Sequence, residues 1–174
     1  IEVTYVDMTD IQNVLDAKTD KTKMIFVETP TNPVLRVVDL SAIADFAKSE
    51  GILSVCDNTF ASPYVQQPVS HGIDIVLHSA TKYLGGHSDL IAGALVIGKK
   101  DEELIARMAN IVNSLGPVTG AFDSYLILRS LKTLAVRMER HCENALAIAQ
   151  HFENDNEISD VIYPGLTHHP PHDM

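Results

Sequence analysis

Three short polar clusters carry residue types from which a catalytic site can be built. Ser79-Ala80-Thr81-Lys82 offers an amine flanked by hydroxyls, and Asp57-Asn58-Thr59 a carboxylate with an amide and a hydroxyl. Glu28-Thr29-Pro30-Thr31-Asn32-Pro33 adds a second carboxylate and amide. A lysine amine condenses with an aldehyde to a Schiff base, and a carboxylate beside a pyridine nitrogen keeps that nitrogen protonated so the ring accepts electrons. Hydroxyls and backbone N–H groups can hold a phosphate, and a neighbouring donor can reach the ring's 3′ oxygen. Pyridoxal phosphate asks for this set. Lys82 can supply the first group, Asp57 the second, Ser79 and Thr81 the third, and Asn32 the last. Thr59 can contact the ring region or close an Asx-type turn. Gly85-Gly86 permits a tight turn directly after the lysine.

Each cluster follows an apolar run of strand length. Met24 to Glu28, Ile52 to Asp57, Ile73 to Ser79 and Ala92 to Gly98 are short and nearly continuous in hydrophobic residues. Continuous runs predict strands covered on both faces, as in a mostly parallel sheet. Between the first two runs, Leu40, Ile43, Ala44 and Ala47 repeat at helical spacing, with Asp39 able to cap the start and Gly51 the end. That arrangement is a βαβ unit. In open α/β sheets ligands bind beyond the carboxyl ends of the strands, so the three clusters are expected to converge into a pocket. Asp10 to Lys18 and Asp101 to Asn113 are further predicted helices. After Gly120, Ile127, Leu131, Leu134, Met138, Ala145, Ala149 and Phe152 recur close to every 3.6 residues, with no Gly or Pro from Ala121 to Phe152. This predicts a single linking helix of about 28 residues, on the order of 42 Å long.

Composition narrows the class. The chain has 174 residues, of which 45% are hydrophobic and 21% charged, ordinary for a globular protein. Its net charge of −10 and lack of a basic block argue against a nucleic-acid partner. Neither a long apolar run nor a charged-then-apolar leader points to a membrane or to export, so a cytoplasmic location is expected. Cys56 and Cys142 show no metal spacing and read as two buried free thiols.

Blander readings stand beside the sharp ones. Lys82 could be an exposed loop lysine, Asp57 a helix cap, Ser79 and Thr81 turn hydroxyls, and Asn32 a structural turn residue between prolines. Tyr83 could stack or simply pack. His168, His169 and His172, and separately His71, His78 and His87, lack a metal-site frame, so no metal is expected. Ser79-Ala80-Thr81-Lys82 also fits the Ser-x-x-Lys nucleophile motif of a hydrolase. That motif should open a helix and be followed by Ser-Asp-Asn and Lys-Thr-Gly, neither of which occurs here. A non-catalytic scaffold fragment is a further alternative.

The segment from Asp74 to Ser88 (DIVLHSATKYLGGHS) resembles the lysine signature of the Cys/Met-metabolism family of pyridoxal-phosphate enzymes. Glu28 to Pro33 and Asp57 to Phe60 resemble that family's upstream landmarks. Pro117 to Met138 and Asn144 to Ala149 resemble its linker helix. The resemblance implies a type I PLP-dependent transferase fold, an α/β architecture with a mostly parallel seven-stranded sheet in the large domain, of which this chain is a fragment. Residues 1–118 would belong to that PLP-binding domain, 119–153 to the linking helix and 154–174 to the start of the C-terminal domain.

The resemblance also implies a small-molecule amino-acid substrate, neither nucleic acid nor membrane as partner, and a homotetramer built as a dimer of dimers. Leu115 to Tyr125 (LGPVTGAFDSY) is similar to cystathionine γ-synthases, which replace the acyl group of an O-acylhomoserine with cysteine. Asn113 to Gly116 and Arg137 to His141 also echo the γ-lyases of cystathionine and methionine, which release 2-oxobutanoate and ammonia. Family members hold phosphate-clamping and ring-stacking residues upstream, and a carboxylate-binding arginine downstream, of the stretch matched here. The chain's abrupt ends fit a central piece carrying about half a site and expected to be inactive alone.

Overall fold

The apolar runs become the strands of one sheet. The computed structural model describes residues 1–98 and 101–170. In chain order these form helix α1 (Ile11–Ala17), strand β1 (Met24–Glu28), helix α2 (Leu40–Ser49) and strand β2 (Leu53–Asp57). A short helix α3 (Ser62–Val65), a 3-10 turn (Pro68–His71), strand β3 (Ile75–Ser79) and strand β4 (Gly93–Ile97) follow. Helices α4 (Glu102–Leu115), α5 (Ala121–Leu131) and α6 (Leu134–Glu153) complete the described residues.

The sheet order is β1-β2-β3-β4, with the first two pairings parallel and the last antiparallel. The register sets Val27 opposite Cys56, and Cys56 opposite Val76. Side chains alternate along a strand, so these residues share one face with Ile25. Helix α2 covers that face with Leu40, Ile43, Ala44 and Ala47, all in the main core cluster. Burying an aliphatic side chain of this size contributes roughly 1.5–3 kcal/mol, and it is this face that holds the βαβ unit together.

The ends of α2 follow from its sequence. Asp39 accepts hydrogen bonds from the amides of Ser41 and Ala42, satisfying two donors the helix leaves unpaired. At the other end Gly51 takes φ +64°, which lets the Ile52 amide reach back to the Ala47 carbonyl at 2.8 Å. The chain then turns directly into β2.

Two expectations are corrected here. Among the described residues, cover on both faces is reached only by the two central strands, where Val55 and Ile75 are buried on the face away from α2; the outer strands β1 and β4 are left open there. On that face Met24, Phe26 and Leu95 are each about half exposed, and α4 has no buried residue with which to cover them. An apolar run records that a surface is destined for burial, not which segment buries it.

The single long helix also divides, at Lys132 and Thr133, into α5 and α6. No glycine or proline marks the break. The Ser130 carbonyl accepts instead from the Thr133 amide and hydroxyl, both at 3.1 Å, and from the Arg137 guanidinium. These bonds replace the regular helical ladder there. Cys142, expected to be buried, is exposed on α6, while Cys56 is buried; both are free thiols.

Ile43→Ala should lower stability by about 2–5 kcal/mol through lost burial and a residual cavity. Asp39→Ala should cost only about 0.5–2 kcal/mol, the value of a helix cap. Urea unfolding of both variants in the full-length protein measures the difference, and equal losses would refute the packing described.

Candidate active site

The three polar clusters lie at one edge of the sheet, where β1, β2 and β3 end in Glu28, Asp57 and Ser79. Glu28 and Asp57 are register partners on adjacent strands. A chain of short hydrogen bonds joins the later clusters. The Asp57 Oδ1 accepts from the Thr59 amide at 2.9 Å, the Thr59 hydroxyl accepts from the Ser79 amide at 2.8 Å, and the Ser79 carbonyl accepts from the Lys82 amide at 3.1 Å. Thr59 therefore closes an Asx turn and also braces β2 against β3.

Lys82 is exposed, while Asp57, Thr59, Ser79 and Thr81 are partly buried. The lysine thus stands open at an edge whose other polar groups are partly covered. The lysine sits in a compact turn, with the Gly85 amide on the Ala80 carbonyl and the Gly86 amide on the Lys82 carbonyl, both at 2.7 Å. Gly85 approaches so closely that a Cβ there would stand 2.8 Å from the Ala80 carbonyl oxygen. Gly86 adopts φ +73°, the left-handed region that glycine enters without strain. The tight turn expected at this pair is present for these reasons.

Thr81 is tied to the segment preceding β4. Its amide and hydroxyl donate to the Ala92 carbonyl at 3.2 and 3.3 Å, and the hydroxyl accepts from the Ala92 amide at 3.0 Å. Asn32 is exposed on the loop after β1, between cis peptides at Thr29-Pro30 and Asn32-Pro33. It shares the edge without joining the hydrogen-bonded chain. Ser79 ends β3 and Lys82 follows in a turn, so the pair does not open a helix as a Ser-x-x-Lys nucleophile would.

Sequence reasoning missed a second brace. Asn58 is fully buried, its side-chain amide donating to the Gln66 carbonyl while its Oδ1 accepts from Gln66 Nε2, both at 2.8 Å. Gln66 also donates to the Thr29 carbonyl at 3.0 Å, linking the loops after β1 and β2. Only the adjacency of Asn58 to Asp57 hinted at this. Tyr83 packs, its ring tilted against His141 with centroids 5.4 Å apart. His168 pairs with Glu153 at 2.9 Å, and His172 lies outside the described residues.

The field at the edge is acidic. Burial, with the Asp57 and Glu28 carboxylates behind it, pushes the Cys56 thiol up to about 12, leaving it protonated and unreactive. Asp57 takes one hydrogen bond from Thr59 and pairs with no cation among the described residues. A half-buried carboxylate of this kind favours a cationic partner, and a protonated pyridine nitrogen fits that demand. With Lys82 exposed on the same edge, the residues present fit pyridoxal phosphate.

His78, on β3, is 5% exposed and its Nδ1 has no hydrogen-bond partner among the described residues. Burial lowers its pKa from the ordinary 6.5, outweighing the Asp57 charge and a backbone hydrogen bond at Asn58, which both act upward. The folded protein keeps this imidazole neutral to lower pH than the unfolded chain does. Between those two values the unfolded state binds the extra proton, so stability should fall as pH drops below about 6.5. His78→Gln should flatten this dependence, measured as urea midpoints of the full-length protein from pH 5 to 8. An unchanged slope would refute it.

The comparisons agree with this geometry. The family model for Cys/Met metabolism PLP-dependent enzymes matches residues 1–174. A cystathionine β-lyase of Coxiella burnetii is 49% identical over the whole chain, which spans 45% of that protein. A cystathionine γ-lyase of Dictyostelium discoideum and a cystathionine γ-synthase of Mycobacterium tuberculosis are 47% and 48% identical, the chain spanning 44% of each. Among solved structures, metB from Corynebacterium glutamicum superimposes with a TM-score of 0.94 at 48% identity, covering 98% of this chain and 44% of that one. The chain thus spans less than half the length of these relatives, and it carries part of their α/β fold. A match across every residue assigns it: this chain belongs to the Cys/Met-metabolism family of PLP-dependent enzymes.

Proposed function

We propose that the full-length protein catalyses γ-replacement in sulfur amino-acid metabolism, joining an O-acylhomoserine to cysteine as a cystathionine γ-synthase does. The observation that carries the catalytic part is the hydrogen-bonded chain from Asp57 through Thr59 and Ser79 to Lys82. The Leu115 to Tyr125 segment supports the γ-synthase assignment. It leads from the end of α4 into α5 and is similar to the corresponding segment of that enzyme type.

When bound, pyridoxal phosphate supplies an electron sink for carbanions beside the amino group of the substrate. Asp57 holds the proton on the ring nitrogen. The Lys82 amine would hold the cofactor through its aldehyde and, when free, would take a proton from the substrate Cα. It then moves protons at Cα and Cβ, so that the acyl group leaves Cγ and the cysteine sulfur adds there. Lysine suits this work because its ammonium pKa falls readily on partial desolvation. Ser79 and Thr81 offer hydroxyls to the phosphate, Thr81 by releasing its long 3.3 Å bond to Ala92. Asn32 would donate to the ring's 3′ oxygen, and Thr59 would contact the ring region.

Residues 1–118 form part of the cofactor-binding domain on this reading, α5 and α6 within 119–153 lead out of it, and 154–174 begin the next. A homotetramer is consistent with the exposed apolar face of α5, where Phe122, Tyr125 and Leu128 stand more than half exposed. The two free thiols fit a reducing cytoplasm. Elimination from cystathionine is the second reading, favoured by relatives that are lyases at similar identity.

In the full-length enzyme, Lys82→Ala should prevent borohydride from fixing the cofactor onto the protein. It should also lower kcat by about 10²–10⁴-fold or more, the range lost with a general base. Turnover near the wild-type rate would sink the assignment. Asp57→Ala should keep some cofactor binding while losing most of the rate. A substrate panel separates the reactions. Cystathionine formed from O-succinylhomoserine and cysteine supports the synthase, whereas 2-oxobutanoate and ammonia from cystathionine would establish the γ-lyase. Pyruvate from cystathionine would establish the β-lyase.

A further inference from the structure

The turn that carries Lys82 is fastened to α5 and α6 chiefly through one side chain, that of Arg137. Within the turn the carbonyls of Ser79, Ala80 and Lys82 accept from backbone amides, and the Tyr83 carbonyl accepts from Arg137 Nη1 at 2.7 Å. Arg137 belongs to α6, far along the chain. Its Nη2 donates to the Ser130 carbonyl at the end of α5 at 3.1 Å, and its Nε to the Thr133 hydroxyl at 3.1 Å. One planar guanidinium therefore spans the lysine turn and the α5–α6 break. Among the described residues no carboxylate pairs with it, so its contacts are with two carbonyls and a hydroxyl.

Three further features concentrate on the same joint. The guanidinium occupies the space a Cβ on Gly86 would need, so glycine at that position serves this contact as well as the turn. His87 Nδ1 lies 2.8 Å from the Gly85 carbonyl and 3.3 Å from the Ser130 hydroxyl, a second stitch across the same gap. Ala80 and Leu84 pack with Leu134 and Met138, making the apolar half of the joint. Lys82 itself is exposed, so its own side-chain packing does not fix it; the position of its backbone must come from such outside contacts.

We propose that Arg137 is a positioning residue for Lys82. By holding the Tyr83 carbonyl to the α5–α6 junction it sets where the lysine amine stands relative to Asp57, and couples that placement to α6. The inference rests on the role given to Lys82 above. It assigns a purpose to the helix break: bending the chain at Lys132 and Thr133 leaves the Ser130 carbonyl accessible to Arg137.

The test uses the full-length holoenzyme with Arg137→Ala and Arg137→Lys. Arg140→Ala is the control, because Arg140 is solvent-exposed and pairs with Glu143 at 3.1 Å. Cofactor trapped by borohydride is located by peptide mass, the absorbance of bound cofactor is titrated with pH, and hydrogen exchange is followed across residues 79–90. In Arg137→Ala the trapped fraction at saturating cofactor should fall and the absorbance titration should shift. Exchange at residues 83–87 should quicken. kcat should drop about ten- to hundredfold, as loss of charge-assisted hydrogen bonds predicts, with KM changing far less.

Added guanidinium ion should restore part of the trapping and the rate. Arg137→Lys, which keeps the charge but lacks the fork, should show the same changes to a smaller degree, and it decides the matter if the alanine variant does not fold. Wild-type trapping, titration and kcat in a variant whose only change is a lower melting temperature would overturn the proposal. Failure of the wild type to trap cofactor at Lys82 would instead overturn the reading of the site itself.

Discussion

Parallel strands diverge beyond their last ladder bond, and this site stands where that divergence begins. The Thr59 hydroxyl counters it by accepting the Ser79 amide, so that a side chain extends the β2–β3 ladder past the strand ends. The Asn58 amide does likewise on the Leu77 carbonyl at 2.9 Å. Each bond contributes only about 0.5–1.5 kcal/mol net, and their importance is geometric. Asp57 and Lys82 come from different strands, and their separation is fixed only if the ends cannot splay. Gln66 extends the same restraint to the loop after β1 through the Thr29 carbonyl. The carboxylate and the amine proposed to act in catalysis are thereby held by residues that need not touch a substrate.

The elements were legible in the sequence wherever burial dictated residue type. Each apolar run became a strand within two residues of its expected bounds, and Leu40, Ile43, Ala44 and Ala47 are the buried stripe of α2. The placement of Asp57, Ser79 and Lys82 at or just beyond strand ends was legible because polar residues closing an apolar run mark where the strand stops. The α5–α6 break was not legible, because Lys132 and Thr133 are acceptable within a helix. What breaks it is a set of hydrogen bonds involving Arg137 four residues on. The Asn58–Gln66 pair was hidden for a similar reason: amides separated by a short helix leave no periodic trace. The exposure of Cys142 shows the limit of helical spacing, which gives the period of a buried face but not what covers it.

Holding the cofactor and choosing the reaction are separable tasks in this architecture. On the proposed reading the Asp57–Thr59–Ser79–Lys82 chain would hold a proton at the ring nitrogen and present an amine for proton transfer, which eliminations and replacements both require. Nothing in that chain distinguishes a leaving group at Cβ from one at Cγ. Proteins of three different activities can accordingly keep the same strand-end residues, with reaction choice resting on what faces the substrate side chain.

The antiparallel pairing of β3 with β4 has a consequence for how such a site comes into being. Ser79 pairs with Gly93, so the Lys82 turn is a loop whose two ends are fastened to each other within the sheet. Asn32, Asp57, Thr59 and Lys82 likewise fall within one continuous stretch joined by a single βαβ crossover and a second parallel pairing. Closing short loops costs little chain entropy, and contacts between near neighbours in sequence form quickly. The Lys82 turn, closed by the antiparallel β3–β4 pair, is thus the most local part of this edge, whereas the parallel pairings that bring Asp57 beside it are non-local. Arg137, 54 residues from Tyr83 in sequence, fastens from α6 a turn whose ends the sheet joins to each other.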